Sequence, residues 1–125
     1  MRPLVHPSID DVTVEGILHA LSDPLRAALF ARIVSSDCSH SCSQLVELAE
    51  RTVPKSTLSQ HFKALREAGL AKGIRRGNEV HHASRCMEIE GRFPGLLQAI
   101  IHAHHVQLKQ MKKASAPRAR SSKKQ

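Results

Sequence analysis

The sequence predicts a mainly α-helical fold with one small β-hairpin, and three observations carry that prediction. Residues Pro54 to Leu70 place Leu58, Phe62 and Leu65 on one side of a helix and small, polar and basic residues on the other. A shorter helix, Gln44 to Glu50, precedes it across Arg51-Thr52-Val53, the spacing of a helix-turn-helix whose second helix enters a major groove. Behind the longer helix, Gly77-Asn78 separates two strand-like runs, as a two-residue hairpin requires. Four helices, a hairpin and a last helix, in that order, make a winged helix-turn-helix.

Each element has its own signal. Val12, Ile17, Leu18 and Leu21 give a first amphipathic helix over about residues 10–21. Ser22-Asp23-Pro24 ends it and opens the second, with Asp23 as cap and Pro24 at the first helical position, where a missing N–H costs nothing. Leu25, Leu29, Phe30 and Ile33 supply the core face of that helix. Residues 35–42 are polar and aperiodic and read as a loop, and Ser41 with Gln44 has the form of a capping box for the third helix. Gly69 followed by apolar Leu70 fits the glycine motif that closes a helix. The hairpin runs from Lys72 to Arg85, and Glu88 and Glu90 fall in a linker beyond it. Pro94 opens a last helix with Leu97, Ile100, Ile101, Leu108 and Met111 on one side, running to about residue 112. No internal repeat is present.

Composition bounds the function. A length of 125 residues fits one domain, and no apolar run approaches a membrane span. The start Met1-Arg2-Pro3 has no apolar secretion core, so a cytoplasmic location with reduced thiols is expected, and three cysteines make no paired disulfide framework. With Phe30, Phe62 and Phe93 as its only aromatics, the chain lacks the stacking platforms of single-strand binders. The net charge of +8 is unevenly spread: residues 51–85 carry eight Lys/Arg against two Asp/Glu, and residues 112–125 carry six and none. The tail cannot bury apolar surface and is expected to be disordered, either a solubilising appendage or an accessory DNA arm. The basic excess that remains coincides with the second helix of the pair and the hairpin, as a phosphate-binding footprint should. The expected organisation is a flexible segment over 1–9, a DNA-binding and dimerisation domain over 10–111, and a basic disordered tail over 112–125.

At about 100° per residue, Ser56, Gln60 and Lys63 point away from the apolar stripe, Thr57 and Ser59 flank it, and no acidic residue interrupts that face. Ser56, Thr57, Ser59 and Gln60 are expected to meet base edges, and Lys55 and Lys63 phosphates. Arg75, Arg76 and Asn78 at the hairpin tip are expected along the backbone or in the minor groove. The alternative for the two arginines is a solvated edge whose charge discourages aggregation.

The segments Leu21-Ser22-Asp23-Pro24-Leu25-Arg26, Glu47-Leu48-Ala49 and Ser56 through Leu70 resemble the ArsR-type family of bacterial transcriptional repressors, over about residues 12–108. The resemblance implies a homodimer paired through the first and last helices, with two reading helices in successive major grooves of a near-palindromic operator. His61 matches a family position flanking the reading face, where phosphate or base contact and a purely structural role are both open. Arg92-Phe93-Pro94-Gly95-Leu96-Leu97 is similar to a subgroup in which no metal site is expected.

Many members of that family sense metals, so nine His and three Cys must be weighed. The family's thiolate pair would fall on Gln44 and Val46, neither of which replaces a thiolate. The actual cluster, Cys38, His40 and Cys42, lies in the preceding loop, with Cys86 and His81-His82 elsewhere. It is read as loop residues with Cys42 packed under the third helix; a soft-metal or trivalent-arsenical site and a thiol redox switch are the alternatives. His102 and His105 could form half of a second family site, but the other half would fall near Ile89 and Gly91, which are not ligands. Surface or interface roles are therefore assigned to His102, His104 and His105, and no cofactor is expected.

A phosphate loop, a nucleophile elbow and a paired-carboxylate pocket are all missing, so an enzyme is not expected. The expected function is a dimeric, sequence-specific regulator that binds a double-stranded DNA operator, an autoregulated repressor that blocks promoter access. A protein-interaction module that kept the fold is the remaining alternative.

Overall fold

The computed structural model describes residues 4, 6–34, 40–41 and 53–114. After a 3-10 turn at Ile9–Asp11, the chain forms helices α1 (Val14–Ala20) and α2 (Pro24–Val34), strand β1 (His40–Ser41) and helix α3 (Lys55–Glu67). Strands β2 (Ala71–Arg76) and β3 (Glu79–Ser84) and helices α4 (Cys86–Arg92) and α5 (Leu96–Ala114) follow. Two compact units, Met1–Pro94 and Gly95–Gln125, divide the chain. The third helix expected over Gln44 to Glu50, most of its connector to α3 and the capping box at Ser41 and Gln44 lie outside the described residues.

The first helix is shorter than the hydrophobic period predicts. The Thr13 hydroxyl accepts from the Gly16 N–H at 3.0 Å and starts α1 at Val14, so the apolar Val12 is buried in extended chain ahead of it. Ile17 and Ala20 then face inward, whereas Leu18, one residue round the helix, is 50% exposed. The second helix opens as expected. Asp23 Oδ1 accepts from the N–H groups of Leu25 at 2.9 Å and Arg26 at 3.0 Å, and Pro24 occupies the first turn. Leu29, Phe30 and Ile33 fill the core, and α2 packs on β3 and α3.

Helix α3 buries Leu58, Phe62 and Leu65 and ends at a Schellman motif. The Leu70 N–H reaches the Leu65 carbonyl at 2.9 Å, the Gly69 N–H reaches the Arg66 carbonyl at 3.0 Å, and Gly69 sits at φ 85°. A side chain at Gly69 would overlap the Val12 side chain, so this glycine answers both a backbone and a space requirement. The chain leaves the motif directly into β2, turns at Gly77-Asn78 with Gly77 at φ 64°, and returns as β3 in the register Arg76 opposite Glu79 to Ala71 opposite Ser84.

Two findings correct the expected layout. The sheet has three strands in the order β1-β3-β2, because His40 and Ser41, expected in a loop, pair with His82 and His81. The expected linker at Glu88 and Glu90 is helix α4. Ile89 is its buried residue, and Arg85, only 8% exposed, donates to Glu88 Oε1 at 2.8 Å and to the Pro7 carbonyl at 2.9 Å. Within the segment 1–9, His6 Nε2 accepts from the Gly73 N–H at 3.0 Å, and Arg92 donates to the Ile9 carbonyl at 2.7 Å and also to that of Val12.

In the second unit, Gly95 at φ 84° precedes α5, and the Ala99 N–H bonds back to its carbonyl at 3.1 Å. The helix runs to Ala114, so Lys112 and Lys113, expected in the disordered tail, form its last turn, where positive charge suits the C-terminal dipole. Leu108 and Met111 of the apolar stripe stay 41% and 58% exposed. No helix among the described residues is long and apolar enough to cross a membrane.

Gly69→Ala is expected to destabilise the protein by about 2 kcal/mol or more, through left-handed strain and the overlap with Val12. Gly91→Ala, in open space on α4, should be neutral or stabilising by up to about 1 kcal/mol. Urea unfolding of the two variants measures both.

Candidate nucleic-acid interface

The candidate surface is assembled from one helix and one hairpin. Because Leu58, Phe62 and Leu65 are held in the core, Lys55, Ser56, Ser59, Gln60 and Lys63 are exposed on the opposite side of α3, with Thr57 half-buried at the flank. This is the distribution the helical period predicts. The first turn carries no acidic residue, which leaves its N–H groups and Lys55 free of competing negative charge. Arg75, Arg76 and Asn78 are exposed at the hairpin tip, and β2 packs against α3, which joins wing and helix within one unit.

Two residues without a role in the sequence reading hold this surface in place. His82 of β3 is 1% exposed and stacks on Phe62, with ring centroids 3.9 Å apart and 11° between planes. Burial, with the Arg66 and His81 charges adding to it, pushes its imidazole pKa down to about 4. The other is Arg26, which donates from Nε to His61 Nδ1 at 3.2 Å and from Nη1 to the Ala20 carbonyl at 3.1 Å, linking α1, α2 and α3. Strand alternation could have placed one of the two adjacent histidines inside, since neighbouring residues face opposite sides of a sheet. Arg26, by contrast, is 35 positions from His61 and sends no local signal.

The three candidate ligands are not brought together by anything described. Cys38 and Cys42 lie outside the described residues, and His40 is placed by its backbone pairing with His82. Among the described residues no three His, Cys, Asp or Glu side chains gather into a metal-holding group. Cys86 is half-buried, with the Ser84 hydroxyl 3.3 Å from its sulfur. His81 Nε2 lies 3.1 Å from Glu79 Oε1 on the wing. Arg92 Nη1 donates to the Ile9 and Val12 carbonyls, and its guanidinium carbon lies 4.7 Å from the centre of the Phe93 ring.

Known proteins resemble this chain in sequence and in fold. A helix-turn-helix domain family matches residues 21–74. An uncharacterized HTH-type transcriptional regulator of Bacillus subtilis, YceK, is 32% identical over 91 residues, covering 73% of this chain and 89% of that protein. The fold is also that of an ArsR-like transcriptional regulator from Rhodococcus sp. RHA1, with a TM-score of 0.53 at 21% identity, over 81% of this chain and 91% of that one.

The depressed His82 pKa sets a pH dependence. Between about pH 6.5 and 4 the unfolded chain binds a proton there that the folded chain does not, so stability is complete above that window and declines as pH falls through it. The expected loss is about 3 kcal/mol at the acid end. His82→Gln should flatten this part of the profile when urea midpoints are compared from neutral pH downward.

Proposed function

Because the chain belongs to the helix-turn-helix transcriptional regulators and has the fold of an ArsR-like one, we propose that it acts as a homodimeric repressor of the ArsR type that recognises a double-stranded operator and excludes transcription from its own promoter. One observation carries the reading. The polar and basic face of α3 stands clear of the core that its apolar face occupies, and the basic wing leaves the same unit beside it. A helix so mounted can enter a major groove without uncovering apolar surface.

Ser56, Thr57, Ser59 and Gln60 then read base edges, while Lys55, Lys63, Arg75, Arg76 and Asn78 engage the phosphate backbone or the adjacent minor groove. A cytoplasmic protein with access to the chromosome fits this role. Dimerisation accounts for apolar surface that a monomer leaves in water, Leu18 on α1 and, on α5, Leu108 and Met111. Paired subunits place two α3 helices on half-sites one helical turn apart.

Gln60→Ala is expected to weaken binding to a duplex selected from a random pool by about 1 to 3 kcal/mol and to relax preference at one base pair per half-site. Lys63→Ala should weaken all sequences alike and lower the salt slope by about one. Unchanged binding by both variants overturns the assignment of this face. For the dimer, Leu108→Glu combined with Met111→Glu should shift the protein toward monomer in sedimentation velocity; an unaltered dimer places the interface elsewhere.

A further inference from the structure

Within the proposed DNA face, one side chain has its hydrogen-bonding character set from outside the reading helix. Asp23 Oδ1 accepts from the backbone N–H of Arg26 at 3.0 Å, which fixes the first turn of α2 and the root of the Arg26 side chain. From there the guanidinium forks. Nη1 donates to the Ala20 carbonyl at 3.1 Å, at the end of α1, and Nε donates to His61 Nδ1 at 3.2 Å, on α3. Arginine has only donors, so the nitrogen it meets is the unprotonated acceptor of a neutral imidazole. The ring proton is then on Nε2.

We propose that Arg26 is a positioning residue of the DNA interface, holding His61 in its Nε2–H form so that this histidine meets DNA as a hydrogen-bond donor and never as an acceptor. The proposal rests on the DNA-binding reading of α3 and adds the sign of one contact to it. A donor at His61 matches a phosphate oxygen, guanine O6 or N7, or thymine O4, and is mismatched with the amino groups of adenine and cytosine. Half-buried beside the exposed Gln60, His61 has one face on the protein and one available to a partner. Lysine would not substitute for Arg26, because a single ammonium group lacks the planar fork that serves two acceptors on different helices.

The first test reads the tautomer directly, by long-range proton–nitrogen correlation spectra of the full chain labelled with nitrogen-15 histidine, at about pH 8, above the ordinary range of histidine titration. The wild type should show His61 as a single Nε2–H form, and Arg26→Met, which keeps the aliphatic stem and removes every donor, should show exchange between both forms. A wild-type His61 protonated on Nδ1 overturns the proposal without need of any variant. So does a tautomer that Arg26→Met leaves unchanged.

The second test is a double-mutant cycle on affinity for a duplex that the wild type selects from a random pool, with folding of each variant followed by circular dichroism. His61→Ala and Arg26→Met should each weaken binding by about tenfold, one contact's worth, and the double variant should match His61→Ala. Losses that multiply instead show Arg26 acting independently and overturn the proposal, as does wild-type affinity in His61→Ala. Gln60→Ala on the same duplex separates the two failures. If it weakens binding while His61→Ala does not, only the role of His61 falls; if neither does, or if no duplex is selected, the DNA reading of α3 falls with it.

Discussion

The stack of Phe62 on His82 is the contact on which the rest of the candidate surface depends. Phe62 belongs to the buried side of α3 and His82 to the central strand of the sheet, so one pair of rings ties α3 to the hairpin. An aliphatic partner would bury similar area, but two flat rings 3.9 Å apart also fix the rotation of α3 about its axis. That rotation decides which residues face outward. Since neighbouring helical positions differ by about 100°, a turn of α3 of that size would carry Gln60 off the outward face.

A second tie acts at the other flank. The Arg26 fork reaches α1 and α3 from a helix start that Asp23 has already capped, so the segment Leu21 to Arg26 works as one joint: cap, fixed φ at Pro24, then a two-armed side chain. The third tie is Gly69, where the end of α3 closes on Val12 ahead of α1. All three hold α3 by its inner side or its end and leave its outer face unencumbered.

Much of this was legible in the sequence because it rests on local rules. The stripe Leu58, Phe62 and Leu65, the Asp23-Pro24 cap, the Gly69-Leu70 stop and the Gly77-Asn78 turn each follow from periodicity or from one residue's backbone preference, and the structure carries all four. What the sequence concealed depends on distant pairing. The strand His40–Ser41 exists only because β3 offers it an edge, and α4 is too short to show a period and is anchored by Arg85 to Pro7. The start of α1 is hidden in the sequence because Val12 is as apolar as a helical core residue, and the Thr13 cap sets the helix to begin beyond it. Likewise, the side chains that hold the site, Arg26 and His82, act across 35 positions in one case and 20 in the other.

The hydrogen bond between His6 and the Gly73 N–H reaches beyond the wing's internal architecture. In the order β1-β3-β2, β2 is an outer strand, and its outward amide groups are where a foreign chain would extend the sheet. His6 occupies one of those donors, and the Leu4 side chain lies over the same glycine. Leu4 and His6 thereby act as a selvedge over this stretch of the border, occupying a place where a foreign strand would have to attach.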